Sequence, residues 1–191
     1  MGNHSNHGHH GHHGHRFPGS AEALRSPQRM ALLEVSRVVD LCLEGVSVDA
    51  VLDVGTGSGV FAEEFVRRGL KLTGIDVNPD MIAAARQYVP SAQFQEAPAD
   101  AQPFDAGAFD LVFLGHVLHE VPDPVRALSE ARRVAQSRVV VLEWPYRAEE
   151  FGPPLEHRLP DEAVVRFAGE AGLQHHEQVS LTHMVLHRFS V

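Results

Sequence analysis

Apolar and polar positions along this chain follow two alternating periods, and the clearest change from one to the other falls at residues 51–68. Val51-Leu52-Asp53-Val54 is a short β-branched run that ends in the alternating glycines Gly55, Gly57 and Gly59, and residues 60–68 continue at once with helical spacing. This predicts a buried parallel strand, a tight turn and a new helix. The turn calls for glycine twice over: for positive φ, and to keep a Cβ from standing between backbone and ligand. The N–H groups of the new helix then face any carboxylate or phosphate above the turn. Residues 71–76, 93–96, 109–114 and 139–143 predict four further strands. Between them, Asn78-Pro79-Asp80 opens a helix through Met81, Ala85 and Tyr88, and Asp123-Pro124 opens another carried by Val125, Leu128 and Val134. A helix near 160–171 is stopped by Gly172. Segments 175–181 and 184–189 both alternate and are joined by little more than Thr182-His183, which permits only an antiparallel hairpin. Ahead of the first strand, Ser26-Pro27 caps one amphipathic helix over 26–45, with Met30, Leu33, Val38, Leu41 and Cys42 on its apolar side, as a lid or flank for the sheet edge. The sum is an α/β fold: a seven-stranded, mostly parallel sheet closed by an antiparallel C-terminal hairpin, helices on both faces, ligands at the carboxyl ends of the strands.

Length and charge narrow the function. The 191 residues suit one domain over 17–191, with a helical flank at 26–45 and a core at 50–191. Net charge is −9, and the tail 1–16 holds one arginine and no acid, so the remainder carries −10. An acidic body argues against a general nucleic-acid binder. No apolar run approaches the roughly 18–20 residues of a membrane span, and no signal peptide is apparent, so a cytoplasmic protein is expected. Cys42 stands alone, which excludes a disulfide framework and makes it core filling. In the tail, His4, His7, His9, His10, His12, His13 and His15 alternate with Gly, Asn and Ser, a composition that predicts disorder and loose uptake of Ni²⁺, Zn²⁺ or Cu²⁺, with no specific metal site.

Asp76 ends the second strand 21 residues after Gly55, about the spacing at which a β-α-β unit offers a carboxylate to the ribose of an adenosine. A dehydrogenase fingerprint would want its third glycine at Val60; here it comes one place early, at Gly59. The blocks V-L-D-V-G-T-G-S-G (51–59), G-I-D-V-N-P-D-M (74–81), A-D-A-Q-P-F (99–104), F-D-L-V-F (109–113) and H-V-L-H-E-V-P-D-P (116–124) together resemble the class I S-adenosylmethionine-dependent methyltransferases, specifically their small, single-domain type 11-like members. The resemblance covers roughly residues 51–191 and implies a Rossmann-like fold with S-adenosyl-L-methionine as cofactor and S-adenosyl-L-homocysteine as product. It implies that Asp53 and the turn Gly55, Thr56, Gly57 and Gly59 hold the methionine part, that Asp76 bonds both ribose hydroxyls, and that Asp100 and the Ala101 N–H meet the adenine. It further implies that Gly115 and His116 close the methyl-transfer face; Val77 and Met81 suit the purine faces. The plainer reading of Asp76 and Asp100 is a pair of turn acids.

The remaining candidates lie after the fourth and fifth strands. His116 and His119, three apart, would share a helical face and with Glu143 could form a base or a metal site; surface or packing histidines are the alternative. Trp144, Tyr146, His157 and Arg158 are candidate acceptor contacts, Arg158 for an acidic group or else in an ion pair with Glu149, Glu150 or Asp161. No D/N-P-P-Y block follows the fourth strand, and no inserted recognition domain is visible. The expected function is methyl transfer to a small-molecule acceptor by a monomer or homodimer, with no nucleic-acid or membrane partner. The alternative is a non-catalytic cofactor-binding module or a metal-handling module working through its histidine tail.

Overall fold

The computed structural model describes residues 20–191, so the histidines of the tail lie outside the described residues. Seven strands form one sheet in the order β3-β2-β1-β4-β5-β7-β6. β1 (Ala50–Val54), β2 (Lys71–Asp76), β3 (Gln93–Glu96), β4 (Phe109–Gly115) and β5 (Ala135–Glu143) run parallel, whereas β7 (Val185–Ser190) is antiparallel to β5 and to β6 (Gln174–Ser180). The chain builds outward from β1 to β3, then returns to lay β4 on the other side of β1. That reversal opens a crevice above the carboxyl ends of β1 and β4, where a parallel sheet binds its ligands.

Side-chain parity divides the core into two layers. Val51, Leu111, Phe113, Leu142 and Leu186 face one side, with α3 (Val35–Leu43), α4 (Val60–Arg67) and α5 (Pro79–Tyr88) against them. Leu52, Val112, Leu114, Val141 and Phe189 face the other and pack on α6 (Pro124–Val134) and α7 (Asp161–Glu170). The helix starts follow the expected chemistry: the Asn78 and Asp123 side chains accept from Asp80 N–H and Arg126 N–H, each with proline in the first turn. β5 begins four residues earlier than its apolar run, because the polar stretch Ala135-Gln136-Ser137-Arg138 still pairs in the sheet.

The N-terminal flank departs from the sequence reading. The helix expected over 26–45 is two helices, α2 (Pro27–Leu33) and α3, broken at Glu34, whose φ is 44°. The break is anchored at a distance: the Glu34 carboxylate accepts from the Thr182 N–H at 2.9 Å and pairs with Arg37 at 2.9 Å. The bend lets α3 bury Val38, Val39 and Cys42 while α2 lies over the crevice. A one-turn helix, α1 (Ala21–Leu24), precedes both and is capped by Ser20.

Candidate functional site

A cleft of about 930 Å³ opens at the carboxyl ends of the central strands. Its floor is the turn after β1. Gly55, Gly57 and Gly59 all have positive φ, and a Cβ on Gly55 would sit 2.1 Å from Val117 Cγ2. Gly55 and Gly57 line the cleft. Gly59 does not: it starts α4 in a left-handed conformation and packs on Ala85 and Val89, so its glycine serves the helix start.

Asp76 is held by the turn it faces. Gly57 N–H donates to Oδ2 and Asn78 N–H to Oδ1, both at 2.9 Å, so the carboxylate is fixed at the edge of the turn and lines the cleft. Asp53 lies beneath, buried, and accepts from Thr56 Oγ1 at 2.7 Å. Burial pushes its carboxyl up to about 7; the Thr56 hydroxyl works against the rise and the Asp76 charge adds to it. Such an acid gains most from a cationic partner. Val77, Met81 and Asp100 line the same end. Asp100 is positioned by α6: Arg126 donates to its carbonyl, and Glu130 accepts from the Gln102 N–H at 2.9 Å. Ala101 is exposed and does not line the cleft.

At the other end the cleft is lined by His116, His119, Trp144 and His157. The segment after β4 is a turn, so no helical face joins the two histidines. His116 instead takes φ 59°, sends its N–H to Leu142 O at 2.8 Å, and lays its ring 4.8 Å from that of Trp144. Burial, then Arg29 and His119, hold its imidazole well below the usual range. Burial pushes the His119 imidazole the same way, but the Glu143 charge and hydrogen bond outweigh it and raise the group. Glu143 accepts from both His119 Nδ1 (2.8 Å) and His119 N–H (3.2 Å). It therefore stands behind His119 and does not line the cleft. Among the described residues no three His, Cys, Asp or Glu side chains are grouped as metal ligands.

Two of the candidate acceptor contacts lie outside the cleft. Tyr146 is exposed and outside the cleft. Arg158 is buried and reaches neither the cleft nor an acid: Nε donates to Pro153 O at 2.8 Å, Nη1 to Pro145 O at 3.1 Å and Arg147 O at 2.9 Å, and Nη2 to Phe151 O. Those bonds tie the strap 145–158 into a loop. Gly152 on that strap meets the Trp144 indole so closely that a Cβ would lie 2.6 Å from it. Leu24, Arg29 and Leu33 from α1 and α2 also line the cleft and were not foreseen; apolar spacing alone marks a helix face without saying what it covers.

The cleft thus pairs a glycine turn and buried acid with a ribose-type carboxylate, as an adenosyl amino acid requires. Residues 52–142 match the family model described as a methyltransferase domain. That segment, 91 of the 191 residues, is similar to a methyltransferase domain, and the match supports the class I S-adenosylmethionine-dependent methyltransferase family. Among the relatives of this chain, the demethylmenaquinone methyltransferase of Chlorobaculum tepidum is 37% identical over 93 residues, 48% of this chain and 38% of that protein. That of Thermus thermophilus is 38% identical over 117 residues, 57% of this chain and 53% of that protein. The match therefore spans roughly half or less of these relatives' length. A crystal structure of a SAM-dependent methyltransferase from Aquifex aeolicus shares the fold, with a TM-score of 0.81 over 90% of this chain and 96% of that one at 22% identity. S-adenosyl-L-methionine is the cofactor this family implies, and the residues of the cleft fit it. No helix among the described residues is long and apolar enough to cross a membrane.

Proposed function

We propose that this methyltransferase transfers a methyl group from S-adenosyl-L-methionine to a small-molecule acceptor in the cleft. The observation that carries the reading is the Asp76 carboxylate, fixed by the Gly57 and Asn78 N–H groups beside a turn that has no room for a Cβ. Bound there, the cofactor supplies a sulfonium-activated methyl group, so the protein creates no electrophile. Its residues orient instead. Gly55, Thr56 and Gly57 take the amino-acid end, with Asp53 beneath it for the ammonium; Asp76 takes the ribose; Val77, Met81 and Asp100 take the purine. Gly115 and His116 close the transfer face, and Trp144 with the strap keeps water from it. Alignment of the two reactants in a dry site supplies the rate, at best roughly 7–11 kcal/mol of the barrier. The relatives named for demethylmenaquinone support an acceptor of metabolite size.

Calorimetric titration with S-adenosyl-L-methionine tests the reading. Asp76→Ala is expected to weaken binding by about 1–3 kcal/mol, the loss of a charge-assisted bond pair. Equal affinity in wild type and variant would place the ribose elsewhere.

A further inference from the structure

The acceptor end contains two imidazoles in opposite situations, and the difference specifies the chemistry of what they meet. His119 is committed on one side only. Nδ1 and the backbone N–H both go to Glu143, a carboxylate that is 2% exposed, so the ring is fixed from behind and Nε2 is the nitrogen left to work. Glu120 Oε1 lies 3.7 Å from Nε2, beyond a hydrogen bond. His116 is 9% exposed, and neither ring nitrogen has a hydrogen-bond partner. It also holds φ 59°, a conformation that a non-glycine residue adopts at a cost. A buried polar group without a partner is destabilising, so the pair of unsatisfied nitrogens reads as one half of a ligand contact.

The walls add shape. Trp144 and His116 lie ring against ring, tilted by 37°, and Gly152-Pro153-Pro154 runs past the indole, so the space suits a flat group. Arg29 lines the same end, its guanidinium 5.9 Å from the Trp144 ring centroid.

We infer that the acceptor is a phenol, an acidic hydroxyl on a flat conjugated ring, that His119 Nε2 removes the hydroxyl proton, and that His116 positions the ring by a hydrogen bond. This rests on the methyl-transfer reading of the cleft. An activated methyl donor needs a base only when the nucleophile arrives with its proton. A thiol, at about 8.5, needs the least help; a phenol, at about 10, passes its proton to an imidazole far more readily than a hydroxyl near the 15.7 of water. A protonated amine would add a cation beside Arg29, whose charge Glu120 partly offsets, whereas a phenolate adds an anion there. The groups around His119 act together: Glu143 and Glu120 favour its protonated form, Arg158 opposes it, and His116 stays neutral with one donor and one acceptor. In the step, the O–H bond breaks with its proton going to Nε2 and its electron pair staying on oxygen. That pair forms the new bond to the methyl carbon while the methyl–sulfur pair returns to sulfur, and the imidazolium gives its proton to water. His119 is the catalytic residue; Glu143 and His116 are positioning residues.

The test uses the full chain saturated with S-adenosyl-L-homocysteine, and 4-nitrophenol, whose phenolate absorbs in the visible. Below the free probe's own pKa, wild type is expected to raise a saturable phenolate band. His119→Asn should cut the ionised fraction by about tenfold, as for a base weakened by one pKa unit, with unchanged affinity for the homocysteine compound. Glu143→Gln should move the band's onset to higher pH. His116→Asn, which tolerates the left-handed backbone, should weaken probe binding and leave the bound probe ionised. With methyl-labelled donor, label should reach the phenol and fall about 100-fold in His119→Asn. A probe bound without ionisation, a band that survives His119→Asn, or label passing to benzylamine equally in wild type and His119→Asn overturns the inference while leaving the methyl-transfer reading intact. Failure of the homocysteine compound to bind overturns both.

Discussion

Arg158 offers a test of whether the strap is held from within or by its ligand. Replacement by methionine keeps the stem and removes the guanidinium. Four carbonyls, those of Pro145, Arg147, Phe151 and Pro153, then lose their donor. Bonds from a charged donor contribute about 1.5–3 kcal/mol each, but not additively. Three of the bonds are only partly buried, and their carbonyls regain water. The Pro145 carbonyl bond is buried, and leaving it unpaired costs about 1–3 kcal/mol by itself. A net loss of about 3 kcal/mol is the resulting expectation, a fall in melting temperature of about 6–12 °C for a domain of this size. Arg158→Lys should recover little, since a flexible ammonium with three donors cannot span four carbonyls in a planar fork. Thermal melts of the three proteins, with and without S-adenosyl-L-homocysteine, check this. A melting temperature within about 2 °C of wild type for both variants, less than about 1 kcal/mol, would refute the anchoring argument and return Arg158 to the acceptor.

Three further outcomes follow from the same geometry. With the Asp53 carboxyl raised to about 7, the native state keeps a proton that the unfolded chain has lost above about 4. Its contribution to stability is therefore complete below about 4 and lost as pH rises to about 7, up to about 4 kcal/mol; Asp53→Asn should lack this fall, and urea midpoints that track wild type at every pH would contradict it. Gly55→Ala adds a left-handed strain of about 1–2 kcal/mol to the clash with Val117, so Val117→Ala should restore part of the lost melting temperature; no recovery would show that backbone strain alone matters. His187, fully buried, shares a 2.9 Å contact with His176 and faces Asp161 Oδ1 at 3.4 Å. Burial lowers its imidazole, with Asp161 opposing, so its contribution is present above about 6.5 and lost as pH falls through the depressed value; His187→Phe should flatten the acid limb of the urea midpoint against pH, and an unchanged limb would assign that loss to other groups.

The glycine-turn end of the cleft, proposed above for the cofactor, was legible because it is local. A turn that binds through its own N–H groups writes itself as glycines at fixed steps, and Asp76 follows at the distance one helix imposes. Gly55, Thr56, Gly57, Asp53 and Asp76 all line the one cleft. Gly59 and Ala101 belonged to the same blocks and still lie outside the cleft, since a motif records what a loop needs to fold as well as what it binds. The strands were equally plain in the apolar runs, and failed only at 135–138, where a polar stretch pairs in the sheet.

The other end of the cleft, proposed above for the acceptor, is assembled across the chain, and there local spacing said less. His116 and His119 looked like one helical face, yet their surroundings are decided by Trp144 and Glu143, some two dozen positions later. Arg158 looked like an anion site beside three acids, and it turned to four carbonyls because the strap doubles back on itself. The bend at Glu34 is fixed by an N–H at Thr182, 148 positions away, and without that bend Leu33 and Arg29 would not cover the cleft. Local spacing cannot encode such pairings, because each depends on the sheet order that brings β4, β5 and the hairpin side by side. The division is physical: the glycine-turn end of the cleft is set by local backbone geometry, which spacing along the sequence preserves, while the other end is lined by side chains that are neighbours only after folding.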